Sequence, residues 1–302
     1  MIGGLLSHPR RLPSWLCHDA TTSSSPAARI EHRLIADHSD AIARLIGRGG
    51  HATVIELGAG SSTTSEPLLR ALGKRRVACD YFPADVSAAG LNAAAKRAAA
   101  VPVDVKQPRL RVRPLVCSDD DAFDAISALA GPKTVLFLGG GLAELGPEEA
   151  RGFLTTLRRS LLPDDHVIVG VEHPPAHRWF SAANDDVVTS AFHRLALQRL
   201  NREAGAHFDD AAFDHISRWD PPRSRVEVFL ESNVHQHIAL DRLGVTLQLR
   251  KGELIQTRCS HKHEDHAITS LLEDVGFSSD AVFADAAGTF GVHVARAEYL
   301  DP

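Results

Sequence analysis

Along the chain, hydrophobic positions fall into two alternating rhythms. Ile30, Leu34, Ile35, Ile42, Leu45 and Ile46 recur at helical spacing and predict an amphipathic helix over 29–47. The apolar, β-branched run Ala52–Leu57 then predicts a strand, followed by Gly58-Ala59-Gly60-Ser61-Ser62 and a helix opening near Ser65. Strands are predicted at 76–81, 110–117, 134–138 and 166–172, with helices at 87–100, 122–129 and 147–161 between them. Strand, glycine turn, helix, repeated in this way, is the rhythm of a doubly wound, mostly parallel sheet covered on both faces.

Beyond residue 174 the rhythm changes. A long helix is predicted over 187–204, ending at Gly205, and Phe208–Ile216 reads as a second, short helix. The tail reads as strands at 224–230, 235–238, 245–249, 254–261 and 291–297, interrupted by a helix at 266–275. The expected fold is α/β, a Rossmann-like core with a second α+β domain. The boundaries read as an irregular segment over 1–30, a core of 31–174 plus 264–302, and an α+β substrate domain over 175–263.

Composition narrows the function classes. The 302 residues are 44% hydrophobic and 24% charged with a net charge of −5, ordinary for a globular protein and offering no electrostatic case for nucleic acid. Four cysteines without regular spacing are not a disulfide framework. The apolar run Ile2–Leu6 is too short for a signal-peptide core, and no segment has the length of a membrane span, so a cytoplasmic protein is expected.

Two features carry chemistry. The turn Glu56-Leu57-Gly58-Ala59-Gly60 follows a strand and precedes a helix, where small residues let a ligand approach the backbone N–H groups. It is one glycine short of a dinucleotide fingerprint, which suits a ligand without a pyrophosphate. In Tyr81-Phe-Pro83-Ala-Asp85-Val-Ser87, Asp85 stands where a ribose diol would be held, and Asp85 or Ser87 could equally cap the next helix.

These motifs are ordered with others. Pro83-Ala-Asp-Val-Ser87, Phe137-Leu-Gly139 and Pro147-x2-Ala150-x2-Phe153-Leu154 follow the glycine turn. Asn201-Arg202-Glu203-x3-His207-Phe208-Asp209, Phe213-Asp-His215-x3-Trp219, Gly252-Glu253-x3-Thr257-x2-Ser260-x-Lys262 and Gly288-x-Phe290-Gly291 come after. The set, spanning roughly 50–296, resembles the histidine Nα-methyltransferases of ergothioneine biosynthesis. The resemblance implies S-adenosylmethionine as cofactor, bound through Glu56, Gly58, Gly60, Asp85 and Asp119, and a small amino-acid-like substrate.

The departures from the family pattern fall in its pockets. Glu144 stands at the family's amine-side asparagine, Asn184 at its carboxylate-gripping tyrosine, and Arg258 at its imidazole-reading glutamate, while Ser260 is retained. On the cofactor side, Thr64 replaces a lysine and Asp120 an aromatic residue. The N-terminal closing segment shrinks to Ser24-Ser25-Pro26-Ala-Ala-Arg29-Ile-Glu31. A guanidinium in place of a carboxylate suits an anionic group, so histidine is not the expected substrate.

The leading expectation is N-methylation of an amino-acid-like amine, with Glu144 as the group that accepts the ammonium proton and Asn184, Arg258 and Ser260 holding the substrate. One alternative keeps the fold and uses the pocket for intramolecular amine displacement, closing a small nitrogen ring such as an aziridine with loss of sulfate or phosphate. Another is a non-catalytic scaffold, with a hetero-oligomeric partner subunit. Cys259, His261 and His263 alternate along a strand near His266, but the spacing matches no standard zinc site and no metal is expected. Trp219 reads as a core residue of the second domain.

Overall fold

The computed structural model describes residues 10–11, 26–60, 63–101, 110–174 and 187–299. In chain order it contains β1 (Arg10–Arg11), α1 (Pro26–Ile46), β2 (His51–Leu57), α2 (Glu66–Lys74), β3 (Ala78–Asp85), α3 (Ala88–Ala99), β4 (Leu110–Val112) and β5 (Leu115–Val116). Next come α4 (Asp119–Ala128), β6 (Lys133–Phe137), α5 (Pro147–Arg159), β7 (His166–Glu172) and α6 (Val187–Ala204). The remainder is β8 (Phe213–Asp220), β9 (Arg225–Ser232), β10 (Gln236–Leu240), β11 (Val245–Leu249), β12 (Leu254–His261), α7 (Asp265–Asp274), β13 (Phe277–Ala284) and β14 (Phe290–Ala297). The described residues form two compact units, one within Thr21–Pro174 and Lys262–Pro302, the other β1 with the described part of Pro175–His261.

The larger unit is an eight-stranded sheet in the order β13-β14-β7-β6-β2-β3-β4, with β5 also paired to β3. Its strands run parallel except that β14 is antiparallel to β7 and to β13. Alternate residues feed opposite faces. Ile55, Val135, Phe137, Val167 and Val169 pack with Ala122, Ile126, Leu154, Leu157, Ile268 and Leu272 under α4, α5 and α7. Val54, Leu136 and Ile168 pack with Ile35, Ile42, Leu68 and Leu72 under α1 and α2. Both faces are buried, which is why the central strands read as continuous apolar runs.

β3 runs through Pro83 to Asp85, four residues past the expected end at Tyr81. Its outer neighbour explains this: β4 pairs with Cys79–Tyr81 and β5 with Ala84–Asp85, and the pairing lapses where proline lacks an N–H. α1 begins at Pro26, three residues before the expected Arg29.

In the smaller unit β1, β12, β9 and β8 form one sheet and β10–β11 a hairpin. α6 closes over it through Ala196, Leu197 and Leu200, against Phe213, Leu230, Leu247, Leu249 and Ile255. The helix expected over Phe208–Ile216 is absent. The Asp209 side chain accepts the Ala211 N–H, holding one 3-10 turn over Asp210–Ala212, and the chain is extended from Phe213. Trp219 is half-buried and lies outside the apolar cluster under α6.

Candidate functional site

The glycine turn leaves the carboxyl end of β2, the end at which ligands bind in open α/β sheets. Gly58 and Gly60 have φ of +64° and +46°, in the left-handed region that favours glycine. Around Gly58 a Cβ would meet nothing within 4 Å, so its backbone is open to close approach. Asp85 locks the turn from β3. Its Oδ2 accepts the Gly60 N–H at 2.8 Å and its Oδ1 the Ser87 N–H at 2.7 Å.

The capping alternative for this segment divides cleanly between two residues. Ser87, not Asp85, is the N-cap of α3, its hydroxyl accepting the Gly90 N–H at 3.2 Å. Each Asp85 oxygen keeps a second lone pair for hydroxyls of a ribose. The acidic residues after Ser118 also divide: Asp121 forms the capping box of α4, while Asp119 is its first residue, with its side chain outside the described set. Open glycine backbone and a pre-oriented carboxylate fit the adenosyl portion of a nucleoside cofactor.

Glu56 lies beneath the turn, 2% exposed, and accepts a hydrogen bond from the Tyr81 hydroxyl, which also contacts Ser65 Oγ at 3.2 Å. Burial and the Glu56 carboxylate push the Tyr81 phenol up, so it stays a neutral donor. Glu56 thus joins β2, β3 and the residue before α2.

Glu31 was not singled out as a site residue by the sequence, although the resemblance contained it. From α1 its carboxylate reaches the carboxyl ends of β6 and β7. Both oxygens accept the Gly139 N–H, at 2.9 and 3.1 Å. Burial, with smaller contributions from Glu56 and Glu172, pushes its pKa up to about 8 against the pull of the Gly139 N–H. Gly170 makes the room, since a Cβ there would lie 2.0 Å from Glu31 Oε1.

Glu144 ends a 3-10 turn, Leu142–Glu144, which follows Gly139 and Gly140 at φ +72° and +79°. It is half-buried, at the carboxyl-end side of β6. The helix-capping role at this point belongs to Glu149, whose Oε2 accepts the Gly146 N–H at 2.8 Å.

In the smaller unit, a β-bulge between Gln256 and Arg258 resets the facing of β12. Arg258 pairs with Val228, which pairs with Ser217, and Ser260 pairs with Val226, which pairs with Trp219. Directly opposed residues share a face, so Arg258, Ser260, Ser217 and Trp219 lie on one face with the buried Val226 and Val228. His215 belongs to the same face, and its ring stacks on that of buried His193 from α6 at 5.3 Å. Ser217 Oγ is buried without a hydrogen-bond partner among the described residues. Sequence reasoning missed Ser217 and His193: a serine and a histidine carry no signal until their register is known. Asn184 lies outside the described residues.

Cys259 and His261 occupy the opposite face of β12, with Sγ 3.7 Å from Nε2. Among the described residues no three His, Cys, Asp or Glu side chains converge as a metal site.

Comparison with known proteins meets this geometry. The sequence model of the histidine-specific, S-adenosylmethionine-dependent methyltransferases matches residues 26–297. The chain belongs to that family. It is 29% identical to histidine N-alpha-methyltransferase of Mycolicibacterium smegmatis, over 97% of this chain and 92% of that one. It is 30% identical to the protein of the same name from Mycobacterium tuberculosis, over 80% and 74%. With the N-methyltransferase imqF of Aspergillus flavus it shares 24% identity over 89% of this chain and 73% of that one. Among solved structures, the CcbJ methyltransferase from Streptomyces caelestis aligns at 14% identity and a TM-score of 0.45, over 92% of this chain and 98% of that one.

The methyltransferase is thus a transferase whose cofactor is S-adenosylmethionine, and the family acts on small molecules. Among its described residues no helix is long and apolar enough to cross a membrane.

Proposed function

We propose that this methyltransferase N-methylates an amino-acid-like amine that carries an anionic group, and that histidine is not its substrate. The observation that carries the reading is Arg258, placed with Ser260 and Ser217 on the packed face of the small unit's sheet. The family's imidazole-reading carboxylate would stand at Arg258. A guanidinium there repels an imidazolium and offers a planar fork to carboxylate, sulfate or phosphate. Ser217 Oγ, one strand beyond Val228 in the same row, adds a hydroxyl that has no hydrogen-bond partner among the described residues.

The cofactor supplies an electrophilic methyl group on a sulfonium. The chain holds it through the Gly58–Gly60 backbone and Asp85, and Glu144 takes the proton that the substrate ammonium must lose before its lone pair can attack. Support for Glu144 is its place just beyond the carboxyl end of β6, and support for Asp85 is its two anchored oxygens with lone pairs to spare.

The test is mass spectrometry of the purified enzyme incubated with S-adenosylmethionine and a panel of amino acids, with and without a side-chain carboxylate, sulfate or phosphate. Methylation confined to anionic members supports the reading. Efficient methylation of histidine, or ring closure of an anion-bearing amine without the cofactor, overturns it.

A further inference from the structure

α1 presents a second chemistry on the side away from Glu31. Ala28, Arg29, His32, Arg33 and Ala36 form one stripe along the helix, and with Thr63 and Thr64 they line a cavity of about 360 Å³. Two guanidiniums, an imidazole and two hydroxyls meet in it, and none of the lining residues is acidic. Ala28 and Ala36, one turn to either side of His32, keep its floor open. His32 Nδ1 is buried with no hydrogen-bond partner, and Arg33 is exposed without a carboxylate partner among the described residues. A buried imidazole nitrogen without a partner is costly unless a ligand or water supplies one.

The cavity lies on the ligand side of the sheet. The N-terminal half of α1 is fixed there by Glu31, whose carboxyl group accepts the Gly139 N–H beyond the carboxyl end of β6. Thr63 is three residues past Gly60, so the two Cα atoms are no more than about 11 Å apart. The N-terminus of α2, a nine-residue helix, begins just beyond Thr64 and adds a positive potential.

We infer that this cavity is a carboxylate site, in which Arg33, His32 and Arg29 with the threonine hydroxyls hold the amino-acid end of the methyl donor. This rests on the cofactor reading, with the ribose at Asp85 and the rest of the donor running along the glycine turn. It gives the chain cations on α1 in place of the family's lysine, at whose position Thr64 stands.

The experiment is calorimetry with two probes, S-adenosylhomocysteine, which has the carboxylate, and 5′-methylthioadenosine, which lacks it. The enzymes are the wild type, Arg33→Met and His32→Gln, with melting temperatures as a fold control. Arg33→Met is expected to weaken S-adenosylhomocysteine at least tenfold and to leave 5′-methylthioadenosine within twofold, with His32→Gln acting in the same sense. If both probes weaken equally, or neither changes, the site is not a donor-carboxylate site. If the wild type binds neither probe, the cofactor reading itself fails, and this inference falls with it.

Discussion

The Gly60 N–H points at Asp85 Oδ2 across 2.8 Å, so the glycine turn after β2 and the end of β3 are a single hydrogen-bonded unit. A backbone amide that could serve a ligand is instead used to orient the carboxylate that would. With Ser87 on the other oxygen, Asp85 has both of its rotational freedoms removed before any ligand arrives.

Asp85→Asn should therefore fail twice. The amide keeps one acceptor, so either the Gly60 or the Ser87 N–H loses its partner, and a ribose loses its charge-assisted bonds. Calorimetry should show S-adenosylhomocysteine affinity reduced at least tenfold, with the melting temperature lowered by the equivalent of about 1–2 kcal/mol.

The core was legible because its strands are buried on both faces and its helices carry strong apolar stripes. The glycine turn and Asp85 were legible because φ above zero and a strand-end carboxylate both leave residue signatures. β8 was not, since its inner face is Phe213, His215, Ser217 and Trp219, half of it polar, and alternation of polar with polar is invisible. β13 was missed for a related reason. It lies at the sheet edge, and a register shift between Ser279 and Ala281 breaks its period. Glu31 escaped because nothing in a sequence marks a carboxylate as buried.

Glu31 gives stability an unusual pH dependence. Its folded pKa, about 8, lies above the ordinary 4.5, so the folded state holds the proton more tightly. Its contribution is fully present below about pH 4.5 and is lost as the pH rises to and through about 8. Glu31→Gln keeps an oxygen for the Gly139 N–H and cannot ionise. The melting temperature of the variant relative to wild type should rise between pH 5 and pH 8.5, a window chosen around that shift. A constant difference across this range would show that Glu31 does not titrate there.

Gly170→Ala tests the same contact sterically. Both partners are interior, and the added Cβ would stand 2.0 Å from Glu31 Oε1 and 3.2 Å from the Phe290 ring. The carboxylate cannot retreat without giving up Gly139. Overpacking of this kind costs about 1–3 kcal/mol, to be read from chemical denaturation. Because Glu31 also fixes the N-terminal half of α1, S-adenosylhomocysteine affinity should fall along with stability.

Arg258→Met separates recognition from architecture in the smaller unit. The bulge in β12 and the pairing with Val228 are backbone features that methionine preserves, and methionine covers much of the same apolar surface as the arginine stem. If the guanidinium holds the anion of the substrate, KM should rise at least tenfold, about 1.4 kcal/mol, with little change in melting temperature. Ser217→Ala, which removes a buried hydroxyl without a partner, should leave stability unchanged or slightly raised and weaken the same substrate by a smaller factor. The S-adenosylhomocysteine affinity of both variants should match the wild type, because the glycine turn and Asp85 belong to the larger unit. A collapse in melting temperature of Arg258→Met, with normal substrate binding by the remaining folded protein, would make the arginine a structural residue and leave the substrate's charge to be read elsewhere.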